Sequence, residues 1–195
     1  KGMDTMACLK TAEAGGIDSA VIMGGNLWNA TPDTGFASRA MAAIGFKLFL
    51  TTTLNMGHVH GLGDGEVLVM PVTARDEEWE ATTQESMFNY VRLSDGGICR
   101  LENVRPESWI LGELGQRLLP DGPIDFKTFS AHARVRDAIA AIVPGLEELA
   151  DIGVAKQEFH IKHRVMHTPE FGTVDGRAHF VVTPMPAGGA APLRL

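Results

Sequence analysis

The chain has 195 residues, 45% of them hydrophobic and 21% charged, with a formal net charge of −7. That length suits one good-sized domain, or a domain with an extension, and the composition is ordinary for a soluble globular protein. The acidic balance argues against a general nucleic-acid binder, although a local phosphate pocket remains compatible with it. No apolar run is long enough to cross a bilayer, and the start Lys1-Gly2-Met3-Asp4 lacks the apolar core of a signal peptide.

Met3 to Ala14 places Met3, Met6, Ala7 and Leu9 at roughly helical spacing, and Gly15-Gly16 ends the pattern. Ile17 to Met23 reads as a buried strand that runs straight into Gly24-Gly25-Asn26. Asn29 to Asp33 is a turn, with Thr31 the expected N-cap and Pro32 the first helical position. A helix over Asp33–Ala43 and a second strand over Phe46–Leu50 follow. The strand–helix–strand order predicts a right-handed crossover, so the two strands should be parallel.

Met56 to Gly65 is a loop rich in glycine and histidine, and a third strand follows over Val67–Val72. Thr73 to Thr83 is polar and acidic and reads as a surface loop. Gln84 to Leu93 fits a helix or a strand, and Ser94-Asp95-Gly96-Gly97 reads as a turn. Arg105-Pro106-Glu107-Ser108 starts a helix through Leu119, with Trp109, Ile110, Leu114 and Leu118 facing inward. A further helix spans Phe129–Val143, a short one Leu146–Ile152, and short β-like pieces surround Ile161, Val165 and Phe180-Val181-Val182. The expected organisation is therefore an α/β portion over 1–125, a helical and irregular extension over 126–183, and a linker over 184–195. The expected fold class is α/β: three layers, a mostly parallel sheet, helices on its faces.

In open α/β sheets, ligands dock beyond the carboxyl ends of the strands. Three apolar runs here share polar or glycine-rich exits: Val21-Ile22-Met23 before Gly24-Gly25-Asn26, Phe46 to Leu50 before Thr51-Thr52-Thr53-Leu54-Asn55, and Glu66 to Met70 before Pro71. Paired glycines allow close backbone approach to a phosphate or base, and Asn26 adds a donor and an acceptor. The competing reading is a plain turn that needs positive φ. The threonine hydroxyls suit sugar hydroxyls or phosphate oxygens, yet threonine is also simply a good strand residue.

Other polar groups point less clearly to chemistry. His58 and His60 alternate on an extended segment but lack further metal ligands nearby. His160, His163 and His167 read as structural or surface residues, and two of them flank Lys162 and Arg164 in a small basic patch that could meet an anion or a neighbouring domain. Glu85, Asn89 and Arg92 would share a face if helical. Asp76-Glu77-Glu78 and Glu147-Glu148 read as solvated charge. Cys8 and Cys99 are isolated, which gives no disulfide framework or metal spacing and fits a reducing, cytoplasmic setting. No nucleophile–base pair or general acid/base couple stands out. These residues point to ligand binding without visible bond chemistry.

The ordered phrases carry a resemblance. Thr51-Thr52-Thr53-Leu54-Asn55-Met56-Gly57-His58-Val59-His60-Gly61, Gln84 through Gly97, and His167 through Phe180 resemble the large subunit of molybdopterin oxidoreductases. Within the formate dehydrogenase and dimethyl sulfoxide reductase family, they look most like the formate dehydrogenase alpha-subunit-like branch. The likeness covers nearly the whole chain. It implies an internal piece of a longer enzyme that holds molybdenum or tungsten between two molybdopterin guanine dinucleotides. Gly24-Gly25-Asn26 matches the family phrase that approaches the nucleotide. Thr51 to Thr53 match the next strand exit, where the family often carries an acidic or amide residue, so the threonines depart from that pattern. The implied cofactor-binding set is Gly24, Gly25, Asn26, Thr51, Thr52, Thr53 and Asn55. The family's iron–sulfur and metal-ligating residues lie outside this chain, since Cys8 and Cys99 match neither pattern. The implied partners are the other domains of the same polypeptide and the small-molecule cofactor, with no nucleic acid and no membrane. The chain alone is not expected to turn over. The alternative is a non-catalytic α/β nucleotide-binding or interaction module.

Overall fold

A computed structural model describes residues 2–86, 88–162, 164 and 169–184. The elements, in chain order, are α1 (Thr5–Glu13), β1 (Ser19–Met23), α2 (Leu27–Ala30), α3 (Thr34–Ala42), β2 (Phe46–Thr51) and β3 (Glu66–Pro71). They continue as β4 (Thr82–Glu85), β5 (Tyr90–Ser94), α4 (Glu107–Leu118), α5 (His132–Ile142), α6 (Ile152–Ala155) and β6 (Phe159–His160). Single 3-10 turns lie between several of them. The fold is α/β, with a three-stranded parallel sheet flanked by helices and ordered β1-β2-β3.

The central strand dictates this arrangement. From Lys47 to Thr51 every residue of β2 is buried, so both faces must be covered. Alternation sends Ala20, Ile22, Phe49, Val67 and Val69 to one face, where they pack with Leu9 and Ala12 of α1 and Ala40 and Met41 of α3. Leu48, Leu50 and Met70 point the other way, onto Trp109, Ile110 and Leu114 of α4. Continuous apolar strands of this kind are typical of parallel sheets covered on both sides.

Helix starts follow cap chemistry. The Asp4 carboxylate accepts from the Ala7 N–H at 2.7 Å and starts α1. The N-cap of α3 is Asp33, which accepts from the Phe36 N–H at 2.9 Å. Thr31, the cap expected from sequence, instead bonds back to the Leu27 carbonyl at 2.8 Å, because Leu27–Ala30 forms its own helical turn. The Thr31 hydroxyl is thus consumed before the Pro32 corner.

A second, antiparallel sheet has the order β4-β5-β6. The ambiguous stretch Gln84–Leu93 resolves into this hairpin. Asn89 sits at φ 58° in its turn, so Glu85, Asn89 and Arg92 share no helical face. Val91 and Phe159 pack with Leu146, Leu149, Ile152 and Ile161 as a separate core. Glu158 clamps the sheet: one carboxylate oxygen accepts from the Leu93 N–H and the other from the Tyr90 hydroxyl, each at 2.9 Å.

Other expectations shift. Leu118, assigned inward, is exposed at the end of α4. The α5 helix starts at His132, since Phe126–Ser130 is a 3-10 turn. The turn placed at Ser94 begins later, because β5 keeps Ser94 in the ladder opposite Thr82. Phe180, Val181 and Val182 are exposed and belong to no strand. His163, Val165, His167 and the tail 185–195 lie outside the described residues. Among the described residues, no helix is long and apolar enough to cross a membrane.

Buried and clamped charges make the stability of this fold depend on pH. Lys47 is fully buried on β2, its Nζ donating to the Ile44 carbonyl at 2.6 Å, and burial lowers its pKa. The unfolded chain therefore binds more protons as pH rises through the depressed folded value toward the ordinary lysine value, and stability should climb over that window. Urea denaturation of Lys47→Met should lose this climb and match or exceed the wild-type stability at pH 7. The Glu158 carboxyl is held below its usual range by the Leu93 N–H and then by the Tyr90 hydroxyl. Its contribution is present above the unfolded carboxyl value of about 4.3 and is lost as pH falls through the folded value. Glu158→Gln should be less stable than wild type at pH 7, and the gap should close in acid.

Candidate functional site

The site begins where β1 ends. The Gly24 N–H donates to the Leu50 carbonyl at 2.7 Å, which adds one rung to the β1–β2 ladder. The chain then turns through two consecutive left-handed residues, Gly24 at φ 57° and Gly25 at φ 66°. A Cβ at either position would meet no atom within 4 Å, so conformation, not crowding, calls for glycine there. The space above both residues is correspondingly open. Among the described residues the main-chain amides of Gly25 and Asn26 donate to no acceptor.

Asn26 caps α2 through its Oδ1, which accepts from the Asn29 N–H at 3.0 Å. The second strand exit meets the first through Asn55. Its Nδ2 donates to the Gly25 carbonyl at 2.9 Å, and its Oδ1 accepts from the Gly57 N–H at 2.9 Å. The Asn55 N–H in turn donates to His58 Nδ1 at 3.0 Å. The two exits therefore share one polar rim.

Sequence reasoning missed Gly57. A Cβ there would lie 2.5 Å from Asn26 Oδ1 and 3.0 Å from Asn55 Oδ1. This glycine lets the loop press against both asparagines. The adjacency Asn55-Met56-Gly57 is the only signal the sequence offered. The histidines buttress the same loop. His58 is buried edge-on against Phe49, with ring centroids 5.1 Å apart, and His60 stacks on Trp28 at 4.5 Å.

The threonines divide. Thr51 is 6% exposed, and its hydroxyl donates to the Thr53 carbonyl at 2.7 Å, which tightens the turn. Thr52 and Thr53 are exposed. A cleft of about 470 Å³ runs past Gly24, Gly25 and Asn26 along the outer side of β1, where Met3, Cys8 and Ala30 also line it. Thr51, Thr52 and Thr53 do not line that cleft. Elsewhere Glu78, expected to be solvated with its acidic neighbours, is 9% exposed and accepts from the Thr73 hydroxyl at 2.7 Å.

No protein-family model matches the chain. It is similar to an uncharacterised oxidoreductase of Mycobacterium tuberculosis and to one of Mycobacterium bovis, 30% identical over 194 residues in each case. The match covers 94% of this chain and 24% of each relative, so the chain spans about a quarter of the length of the curated relatives it matches.

Two glycine substitutions separate conformation from contact at the rim. Gly25→Ala should cost about 1 kcal/mol in urea denaturation, the penalty of a left-handed non-glycine residue, and leave neighbouring resonances near their wild-type positions. Gly57→Ala should cost more and shift the Asn29 amide resonance, because the new methyl displaces the Asn26 side chain that this amide donates to.

Proposed function

We propose that this chain is the part of a molybdopterin-dependent oxidoreductase, formate dehydrogenase-like, that holds the guanine dinucleotide portion of the metal cofactor. The observation that carries the reading is the Asn55 Nδ2 to Gly25 carbonyl hydrogen bond at 2.9 Å, which joins two strand exits into one donor-bearing rim. Similarity to proteins named oxidoreductases supports the redox context.

The rim fits such a group on physical grounds. The Gly25 and Asn26 amides have no acceptor among the described residues and are suited to phosphate oxygens, since successive main-chain N–H groups in a turn form an anion-binding concavity. Asn26 retains its amide donors for a base or sugar edge while its oxygen holds α2 in place. The exposed Thr52 and Thr53 hydroxyls sit one exit further on and offer contacts to the ribose or an outer phosphate. Thr51 supports the turn from beneath, its hydroxyl donating to the Thr53 carbonyl. When bound, the cofactor supplies the molybdenum or tungsten centre that takes electrons, an oxygen atom or a hydride from a small substrate. This chain's own contribution is to bind and orient the nucleotide tail. The rest of the parent polypeptide is the proposed partner, and any iron–sulfur ligands belong to it.

Calorimetric titration with GDP and ADP tests this reading. GDP should bind more tightly by roughly tenfold, about 1.4 kcal/mol, and Asn55→Ala should weaken GDP binding by releasing the Gly25 carbonyl. Equal affinities, or GDP binding indifferent to Asn55→Ala, would contradict it, as would formate oxidation by the chain alone.

A further inference from the structure

A cavity of about 580 Å³ lies between α4 and α5, and among the rim's neighbours only Met23 of β1 reaches its lining. Pockets of about 300–1,000 Å³ hold drug-sized ligands. Its wall is mostly apolar, built from Met23, Leu111, Phe126, Phe129, Ile139 and Ile142. Glu78, Glu107, Ser108 and His132 also line it. They come from three separate stretches of chain: the loop after β3, the first turn of α4 and the first residue of α5.

The polar groups are unevenly satisfied. His132 Nε2 lies 3.0 Å from Ser108 Oγ and 3.2 Å from Glu78 Oε2. One ring nitrogen thus lies between two oxygens, and the approach to Glu78 lacks hydrogen-bond alignment. Glu78 Oε2 accepts no hydrogen bond although the residue is only 9% exposed. His132 Nδ1 is likewise buried without a partner. The Glu107 carboxylate forms no hydrogen bond or ion pair among the described residues. Its pKa is raised, first by burial and then by the charge of Glu78.

The polar end is rich in oxygen acceptors. Two carboxylates and a serine oxygen line it, while the Thr73 hydroxyl serves only Glu78 Oε1. A buried acceptor without a donor is costly to leave unsatisfied. The arrangement does not call for a metal: among the described residues, no group of three His, Cys, Asp or Glu side chains is placed to hold one. It is also the wrong sign for an anion. A serine–histidine–acid triad is not formed either, because the carboxylate sits at the same nitrogen as the serine and not at Nδ1.

We propose that this cavity is a binding site for a small primary amine carrying an apolar body. The ammonium offers three N–H donors, which serve Glu78 Oε2, the Glu107 carboxylate and Ser108 Oγ, and its charge offsets the two carboxylates. The apolar body lies along Leu111 and Ile139 between the helices. The site is independent of the nucleotide reading, since neither carboxylate belongs to the glycine rim.

Calorimetry with three probes of one shape but different heads tests it: phenylbutylamine, phenylbutanol and phenylbutyrate at pH 7. The amine should bind roughly tenfold more tightly than the alcohol, and the carboxylate more weakly than either. Glu78→Gln should remove the preference for amine over alcohol while alcohol binding stays unchanged. If that variant does not fold, Glu107→Gln carries the same test, because its carboxylate holds no internal partner. Ile139→Trp should fill the cavity and abolish binding of both amine and alcohol. Equal affinity for all three probes, preference for the carboxylate, no binding of any, or amine binding that survives these substitutions would overturn the proposal.

Discussion

The hydrogen bond from the Gly24 N–H to the Leu50 carbonyl, 2.7 Å long, is the interaction on which the rim depends. It extends the β1–β2 ladder one residue past the strand, so the glycine turn is anchored to the most buried strand among the described residues. The chain cannot continue straight after this rung. Two left-handed residues redirect it and place the Gly25 carbonyl within reach of Asn55. On the other exit, the Thr51 hydroxyl closes a local turn and the Asn55 side chain organises the next one. The rim is thus built from short polar bonds seated on a packed apolar strand. Its shape follows from the backbone, and the space where a Cβ would stand at Gly24 and Gly25 is open.

The same sheet is covered unevenly. One face is closed by α1 and α3, whereas α4 covers only the centre of the other. Val21 and Met23 on β1 and Leu68 on β3 stay 46–49% exposed on that second face. Met23 consequently borders both the cleft beside the glycines and the cavity between α4 and α5. One strand end thereby connects two chemically different recesses, one offering backbone donors and one offering side-chain acceptors.

The parallel sheet was legible because its strands are short apolar runs bounded by glycine or polar exits, with no competing helical period. The joining of the exits was legible too, since βαβ order places successive carboxyl ends on one side. The contact that fixes them was not. Gly57 matters through a neighbour 31 positions earlier in the chain, and no local pattern encodes that distance. Thr31 misled for a different reason: it has the right chemistry for a cap, but a one-turn helix ahead of it claimed its hydroxyl. Glu78 misled most, because an acidic run reads as solvated until tertiary packing buries one member against Thr73 and His132. Burial of charge is a property of the fold, and β-hairpin pairing likewise decided Gln84–Leu93 where propensity was indifferent.

Amide hydrogen exchange at three adjacent residues tests the central claim most directly. The Gly24 amide, held by Leu50, should exchange slowly, while the Gly25 and Asn26 amides should exchange fast in the free protein and become protected when GDP is added. Protection of Gly25 and Asn26 before any nucleotide is present, or unchanged exchange after its addition, would contradict a rim whose main-chain donors await a nucleotide.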